Sequence, residues 1–168
     1  MKIDYVIADC SLGRLLVGFT ERGVSAVYLG EKDPPMEAAL REEYPCAEIH
    51  RQSSRRTEWV RDILAYLRGQ QPKLDLPLDL AATAFQMRVW EELRRIPYGS
   101  TRTYAQVAGR LGQPTATRAV ARACATNPVS LVVPCHRVVR QDGNLAGYRW
   151  GLQRKQALIE TERKQVAR

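Results

Sequence analysis

At 168 residues the chain is long enough for one domain or two small ones. With 45% hydrophobic and 26% charged residues, and no apolar run near the roughly 20 residues that cross a bilayer, it reads as globular rather than disordered, collagen-like or membrane-spanning. The net charge of +8 is unevenly held: residues 1–80 carry 11 Lys/Arg against 13 Asp/Glu, residues 81–168 carry 15 against 5. An arginine excess confined to the second half suggests a polyanionic partner, although a solvated basic face would look the same.

In chain order, glycines separate three strand-like runs, Lys2–Ala8, Arg14–Thr20 and Val24–Leu29, which suggest an antiparallel meander. Asp33-Pro34-Pro35 opens a helix that Pro45 stops. His50 lies among Arg51, Arg55 and Arg56 and reads as a solvated loop residue. Thr57 caps a second helix with Val60, Ile63, Leu64 and Leu67 on one face. Gln71–Pro77, with two prolines and little periodicity, reads as a linker. The expected fold class is therefore α+β (mixed α/β): a small N-terminal domain over residues 1–80 with a short antiparallel sheet, then a mostly helical C-terminal domain over 81–168.

Beyond the linker the pattern is helical. Thr83 caps a helix over Ala84–Ile96 whose buried stripe is Phe85, Val89, Leu93 and Ile96. Pro97–Ser100 is a turn, and Thr103 caps Tyr104–Leu111. After Gly112-Gln113-Pro114, Thr115 is placed as the cap of a helix to about Ala125, with Ala119, Val120 and Ala123 as its apolar face and Arg118 and Arg122 on another. Two short helices about a glycine-containing turn fit a helix-turn-helix, a pattern many helix pairs share.

Cys10, Cys46, Cys124 and Cys135 lie 36, 78 and 11 residues apart, so no C-x-x-C pair signals zinc or redox chemistry. With two histidines in the chain, no metal site is expected. The run Met1–Tyr5, with Asp4 early, lacks the layout of a secretion signal, and a reducing cytoplasm is the expected compartment.

Chemistry concentrates after Asn127-Pro128, where the apolar run Val129–Val133 reads as a strand leading into Pro134-Cys135-His136-Arg137. A thiol beside basic groups has the environment of a nucleophile. Sequence adjacency does not bring the two side chains together, and buried cysteines are commonly inert. A cysteine hydrolase built from Cys135, His136 and Asn127, and a dimeric helix-turn-helix regulator, are competing classes.

Pro134-Cys135-His136-Arg137-Val138-Val139, followed by Gly147-Tyr148-Arg149-Trp150-Gly151, resembles the active-site signature of the O6-alkylguanine-DNA alkyltransferases, also called methylated-DNA–protein-cysteine methyltransferases. The form is the bacterial one, similar to the alkyltransferase half of the adaptive-response members. The resemblance runs from about Ala84 to Glu162 and takes in Thr83–Gln86, Tyr104–Ala108, Arg118–Ala121 and Asn127-Pro128.

The resemblance implies transfer of an alkyl group from O6-alkylguanine, flipped out of duplex DNA, to Cys135 in a single irreversible event, with O4-alkylthymine as a further substrate. His136 would act as base through a water, and Glu162 would favour its charged form and hence thiolate, with Glu160 the competing carboxylate two residues away. Asn127 would tie the recognition helix to the active-site segment, and Tyr104 would serve the leaving guanine. Arg118 would fill the gap left by the flipped base, with Arg122, Thr115, Ala119 and Ala121 also at the DNA. Pro134, Val138, Tyr148 and Arg149 would shape the pocket, although Tyr148 and Trp150 could equally be core aromatics. The partner would be double-stranded DNA, entered from the minor groove by a monomer, with no cofactor, metal or membrane. A non-catalytic sensor of the same lesion is the alternative, and that branch is expected to lack the nucleophilic cysteine.

Overall fold

Three apolar runs become β1 (Lys2–Cys10), β2 (Gly13–Phe19) and β3 (Val24–Gly30), paired antiparallel in turn, because alternate and largely buried side chains leave their backbones to satisfy one another. The structure, a computed structural model, describes residues 1–53 and 57–168. Arg55 and Arg56 lie outside the described residues. The chain divides into two compact units, Met1–Leu80 and Ala81–Arg168.

In the first unit, α1 (Asp33–Glu43), entered through Pro34 and Pro35, and α2 (Glu58–Leu67), capped by the Thr57 side chain, accompany a four-stranded sheet of order β3-β2-β1-β4. The sheet is mixed rather than antiparallel. β4 (Glu48–Arg51) pairs parallel to β1, which the helical crossover α1 makes feasible, and its mostly exposed polar residues carry no alternation to announce it.

The second unit is mainly helical: α3 (Ala84–Arg94), α4 (Tyr104–Arg110), α5 (Thr117–Ala125) and α6 (Leu152–Val166). Thr83 and Thr103 each form a reciprocal capping box, with Gln86 and Gln106 respectively, and so fix the starts of α3 and α4. Val89, Leu93 and Ile96 are buried, together with Trp90, whose indole N–H donates to the Ala123 carbonyl at 2.9 Å and locks α3 to α5. Phe85 is only half-buried.

Helix α5 starts one residue later than the Thr115 cap predicts. Ala116 is its N-cap without a side-chain bond, and Thr115 is exposed in the preceding turn. Its core face is Val120, Ala123 and Cys124, while Ala119 points to solvent. No helix among the described residues is long and apolar enough to cross a membrane.

The turn after α3 supports α6. Gly99 sits at φ +84°, and a Cβ there would stand 2.5 Å from Val166 Cγ2 and 3.4 Å from the Glu162 carbonyl oxygen. Gly99→Ala, strained in its backbone and crowded against α6, should lower stability by about 1–2 kcal/mol in urea denaturation. An unchanged midpoint would show that the turn yields freely.

Candidate active site

Asn127 organises the segment behind Cys135. It is buried, its Nδ2 donates to the Val133 carbonyl and its Oδ1 accepts from the Val129 amide, both at 2.9 Å. Val133 N–H closes back on the Val129 carbonyl at 3.0 Å, with Leu131 in the left-handed region at φ 75°. Residues 127–134 are therefore a closed turn rather than the expected strand, since their amides and carbonyls satisfy one another locally. Cys135 then opens a one-turn 3-10 helix, Cys135–Arg137.

That turn of helix delivers three side chains. His136, fully buried, donates from Nε2 to Glu162 Oε2 at 2.7 Å. Arg137 Nε donates to Glu162 Oε1 at 2.6 Å, its Nη1 reaches the Ile96 carbonyl at 2.9 Å, and its guanidinium lies 5.6 Å from the Tyr98 ring centroid. Glu162 is 2% exposed, whereas Glu160 is exposed and pairs with Gln156. Holding Nε2–H against a carboxylate leaves Nδ1 as the proton-accepting nitrogen of a neutral ring.

Cys135 opens onto a cavity of about 640 Å³. β5 (Arg102–Thr103) pairs in parallel with β6 (Val138–Val139), and this short ladder sets Tyr104, the first residue of α4, beside the segment carrying Cys135. One face of α5 forms a wall, through Thr117, Arg118, Ala121, Cys124 and Ala125, in which Ala121 stands three or four residues from each of the others. The opposite wall comes from Arg140 and the loop Ala146–Arg149. Lys155, wholly buried on α6, holds that loop by donating to the Leu145 carbonyl and, at 3.1 Å, to the Gly147 carbonyl.

Burial dominates the protonation states. It pushes the Cys135 thiol up, and hydrogen bonding from Asn127 with the Lys155 charge pulls it back without cancelling the rise. Burial also pushes His136 below its ordinary value, against the pull of Glu162. Burial acts to raise Glu162, but His136 and Arg137 outweigh it and hold the carboxyl below the usual range. The resting pair is thus neutral thiol and neutral imidazole rather than the expected thiolate and imidazolium, because desolvation penalises both charges. Burial pushes the Tyr104 phenol up to about 12, so it keeps its proton and can donate it. Among the described residues no group of three His, Cys, Asp or Glu side chains gathers as a metal would require.

Of the residues singled out in the sequence, Cys135, Tyr104, Arg118, Ala121, Tyr148 and Arg149 line the cavity. His136, Glu162 and Asn127 stand in the hydrogen-bonded framework around the cysteine. Pro134 and Val138 are buried and do not line the cavity; Thr115, Ala119 and Arg122 are exposed outside its lining. The sequence reading gave no role to Lys155, to Arg137's grip on Glu162, or to Cys124 as a cavity wall. A lysine in a run of polar helical residues reads as solvated, and nothing local marks its burial.

Residues 84–164 match the family described as 6-O-methylguanine DNA methyltransferase, DNA binding domain. The bifunctional transcriptional activator/DNA repair enzyme Ada of Escherichia coli is 45% identical over 162 residues, 96% of this chain and 46% of Ada, so the chain spans about half the length of that relative. The inducible methylated-DNA–protein-cysteine methyltransferase of Bacillus subtilis is 35% identical over 141 residues, 82% of this chain and 79% of the relative. The crystal structure of the Mycobacterium tuberculosis O6-methylguanine methyltransferase superposes with a TM-score of 0.82 at 33% identity, covering 97% of this chain and 94% of that one. The M. tuberculosis OGT structure in complex with DNA gives 0.80 at 34%.

Fold and site together define the class, a mixed α/β protein with a buried cysteine backed by a histidine–carboxylate pair. The chain belongs to the methylated-DNA–protein-cysteine methyltransferase family.

Glu162→Gln leaves Arg137 buried without a counter-charge and should cost about 3 kcal/mol near neutral pH. Because Glu162 is held low in the folded state, its contribution is complete above the ordinary carboxylate range and is lost as pH falls through its folded value. Chemical denaturation across pH should therefore show the gap from wild type closing in acid, whereas the exposed Glu160→Gln should stay within about 0.5 kcal/mol throughout. A pH-independent gap would mean that the loss is one of packing.

Proposed function

We propose that this chain repairs O6-alkylguanine in double-stranded DNA by moving the alkyl group irreversibly onto Cys135. The observation that carries the reading is a buried Cys135 lining one cavity with Tyr104 and Arg118, next in sequence to His136, which is bonded to Glu162. The target carbon lies in the base stack, so the nucleotide must rotate out at a cost of a few kcal/mol. Helices α4 and α5 act as a helix-turn-helix entering the minor groove, Arg118 fills the vacated stack, and Arg122 and the wider positive charge attract phosphate. Thr115, Ala119 and Ala121 lie along the DNA; Tyr148 and Arg149 shape the pocket, with the buried Pro134 and Val138 behind its wall.

In the transfer, the Cys135 proton passes to His136 through a water, and Glu162 stabilises the imidazolium formed. Sulfur bonds to the alkyl carbon as the carbon–O6 bond breaks, and the electron pair leaves on guanine, which Tyr104 protonates. Proton return from imidazolium to the Tyr104 oxygen restores neutral His136 and neutral Tyr104 and leaves a thioether with no good leaving group. Each molecule acts once, as a monomer in the cytoplasm, without cofactor or metal. O4-alkylthymine presents the same displacement and is repaired likewise.

Duplex DNA carrying O6-methylguanine should place one methyl per protein on the Cys135 peptide, read by mass spectrometry, and Cys135→Ala should abolish transfer while still binding DNA. Sustained turnover, or a methyl on Cys10, Cys46 or Cys124, would overturn the reading. Arg118→Ala should slow transfer from duplex about tenfold or more and from a single strand far less, since only the duplex must give up stacking. Arg122→Ala should weaken binding to any sequence alike and reduce the salt slope by roughly 1. Equal losses on both strand forms would assign Arg118 to the pocket instead.

A further inference from the structure

Trp150 ends the cavity loop, and its indole Nε1–H donates to Ser130 Oγ at 2.8 Å. Ser130 is 1% exposed and lies in the turn that Asn127 closes, bridged to Val133, which in turn accepts the Cys135 amide at 2.8 Å. An indole N–H is a donor only, whereas a hydroxyl has one hydrogen and two lone pairs. In the Trp150 contact Ser130 must therefore accept, which leaves its own hydrogen to be given elsewhere. Its side chain also hydrogen-bonds with Cys135, in the direction that favours the ionised sulfur.

We propose that Ser130 is a catalytic residue that donates its hydroxyl hydrogen to the Cys135 sulfur as thiolate forms, with Trp150 as the positioning residue that turns the hydroxyl that way. The inference takes from the proposed function only that Cys135 is the nucleophile. When the thiol proton moves to His136, the sulfur gains a full lone pair in a buried site and accepts the Ser130 O–H. When the sulfur–carbon bond forms and the carbon–O6 bond breaks, that charge leaves on guanine and the hydrogen bond weakens. The contact is strongest in the reactive thiolate and acts on its population. The other groups acting on Cys135 are Asn127, Tyr104 from α4, Cys124 from α5 and Lys155 from α6, with His136 next to it in the chain; Arg118, Arg140 and Arg149 share its cavity. Each remains in a Ser130 variant, so a change in the pH profile isolates the hydroxyl.

The test is the pH profile of Cys135 alkylation by iodoacetamide on the free protein, quantified on the Cys135 peptide, beside methyl transfer from O6-methylguanine duplex. Ser130→Ala should move the alkylation midpoint up by about one pH unit and slow the reaction about tenfold at neutral pH, with rates converging at high pH, as loss of a hydrogen bond to a charged group requires. Ser130→Thr, which keeps the hydroxyl, should restore the wild-type midpoint. Trp150→Phe, which keeps the ring and removes the N–H, should shift it in the same direction by less. An unmoved midpoint in Ser130→Ala, or an equal loss at every pH, overturns the proposal by reducing Ser130 to packing. Absence of methyl transfer in the wild type, with the Ser130 midpoint shift intact, would instead defeat the repair reading alone.

Discussion

A carboxylate buried to 2% exposure is costly unless every oxygen has a donor, and the second unit is arranged around meeting that demand at Glu162. One oxygen takes His136 and the other takes Arg137, whose guanidinium reaches on to the Ile96 carbonyl and the Tyr98 ring. Helix α6, the 3-10 turn carrying Cys135 and the turn after α3 thus converge on one negative charge. Gly99 matters for the same reason, since only a residue without Cβ lets that turn lie against the α6 segment carrying Glu162.

The arrangement sets two requirements against each other. On the repair reading a buried sulfur keeps bulk water away from the reacting bond, but burial raises the thiol and lowers the histidine that would take its proton. The chain answers with dipoles and one cation rather than a preformed ion pair. Lys155 is bound to two main-chain carbonyls that hold its position; burial pushes its own ionisation down, while its charged form draws the Cys135 thiol down. The same bonds hold the loop that forms the far wall of the cavity, so one side chain acts on both the cavity wall and the Cys135 thiol.

What the sequence made legible was local. Thr57, Thr83 and Thr103 announce helix starts because a cap acts within three residues, and Pro134–Arg137 draws notice because its groups are contiguous. Thr115 misled because a cap needs a free hydroxyl at the right turn, and the chain enters α5 through Ala116 instead. Val129–Val133 looked like a strand because its apolar residues are buried, yet Asn127 and a left-handed Leu131 fold it back on itself. β4 and Lys155 escaped notice for a shared reason: a polar strand paired by its backbone and a lysine paired with carbonyls owe their places to partners beyond their own elements, on β1 in one case and in the loop before α6 in the other.

The uneven charge of the chain acquires a sharper sense beside this geometry. On the repair reading, arginines on one face of α5 and along the cavity loop draw a polyanion toward the opening, whereas burial keeps Cys135 and, behind the cavity wall, His136 neutral at rest. Long-range attraction and local reactivity are therefore held at different depths of one cavity. On the repair reading this separation is useful, since a thiol that stays protonated in the free protein is poorly reactive toward stray electrophiles. A molecule that acts once cannot recover from such a loss, so a site that ionises its sulfur only with the substrate in place protects the single equivalent it carries.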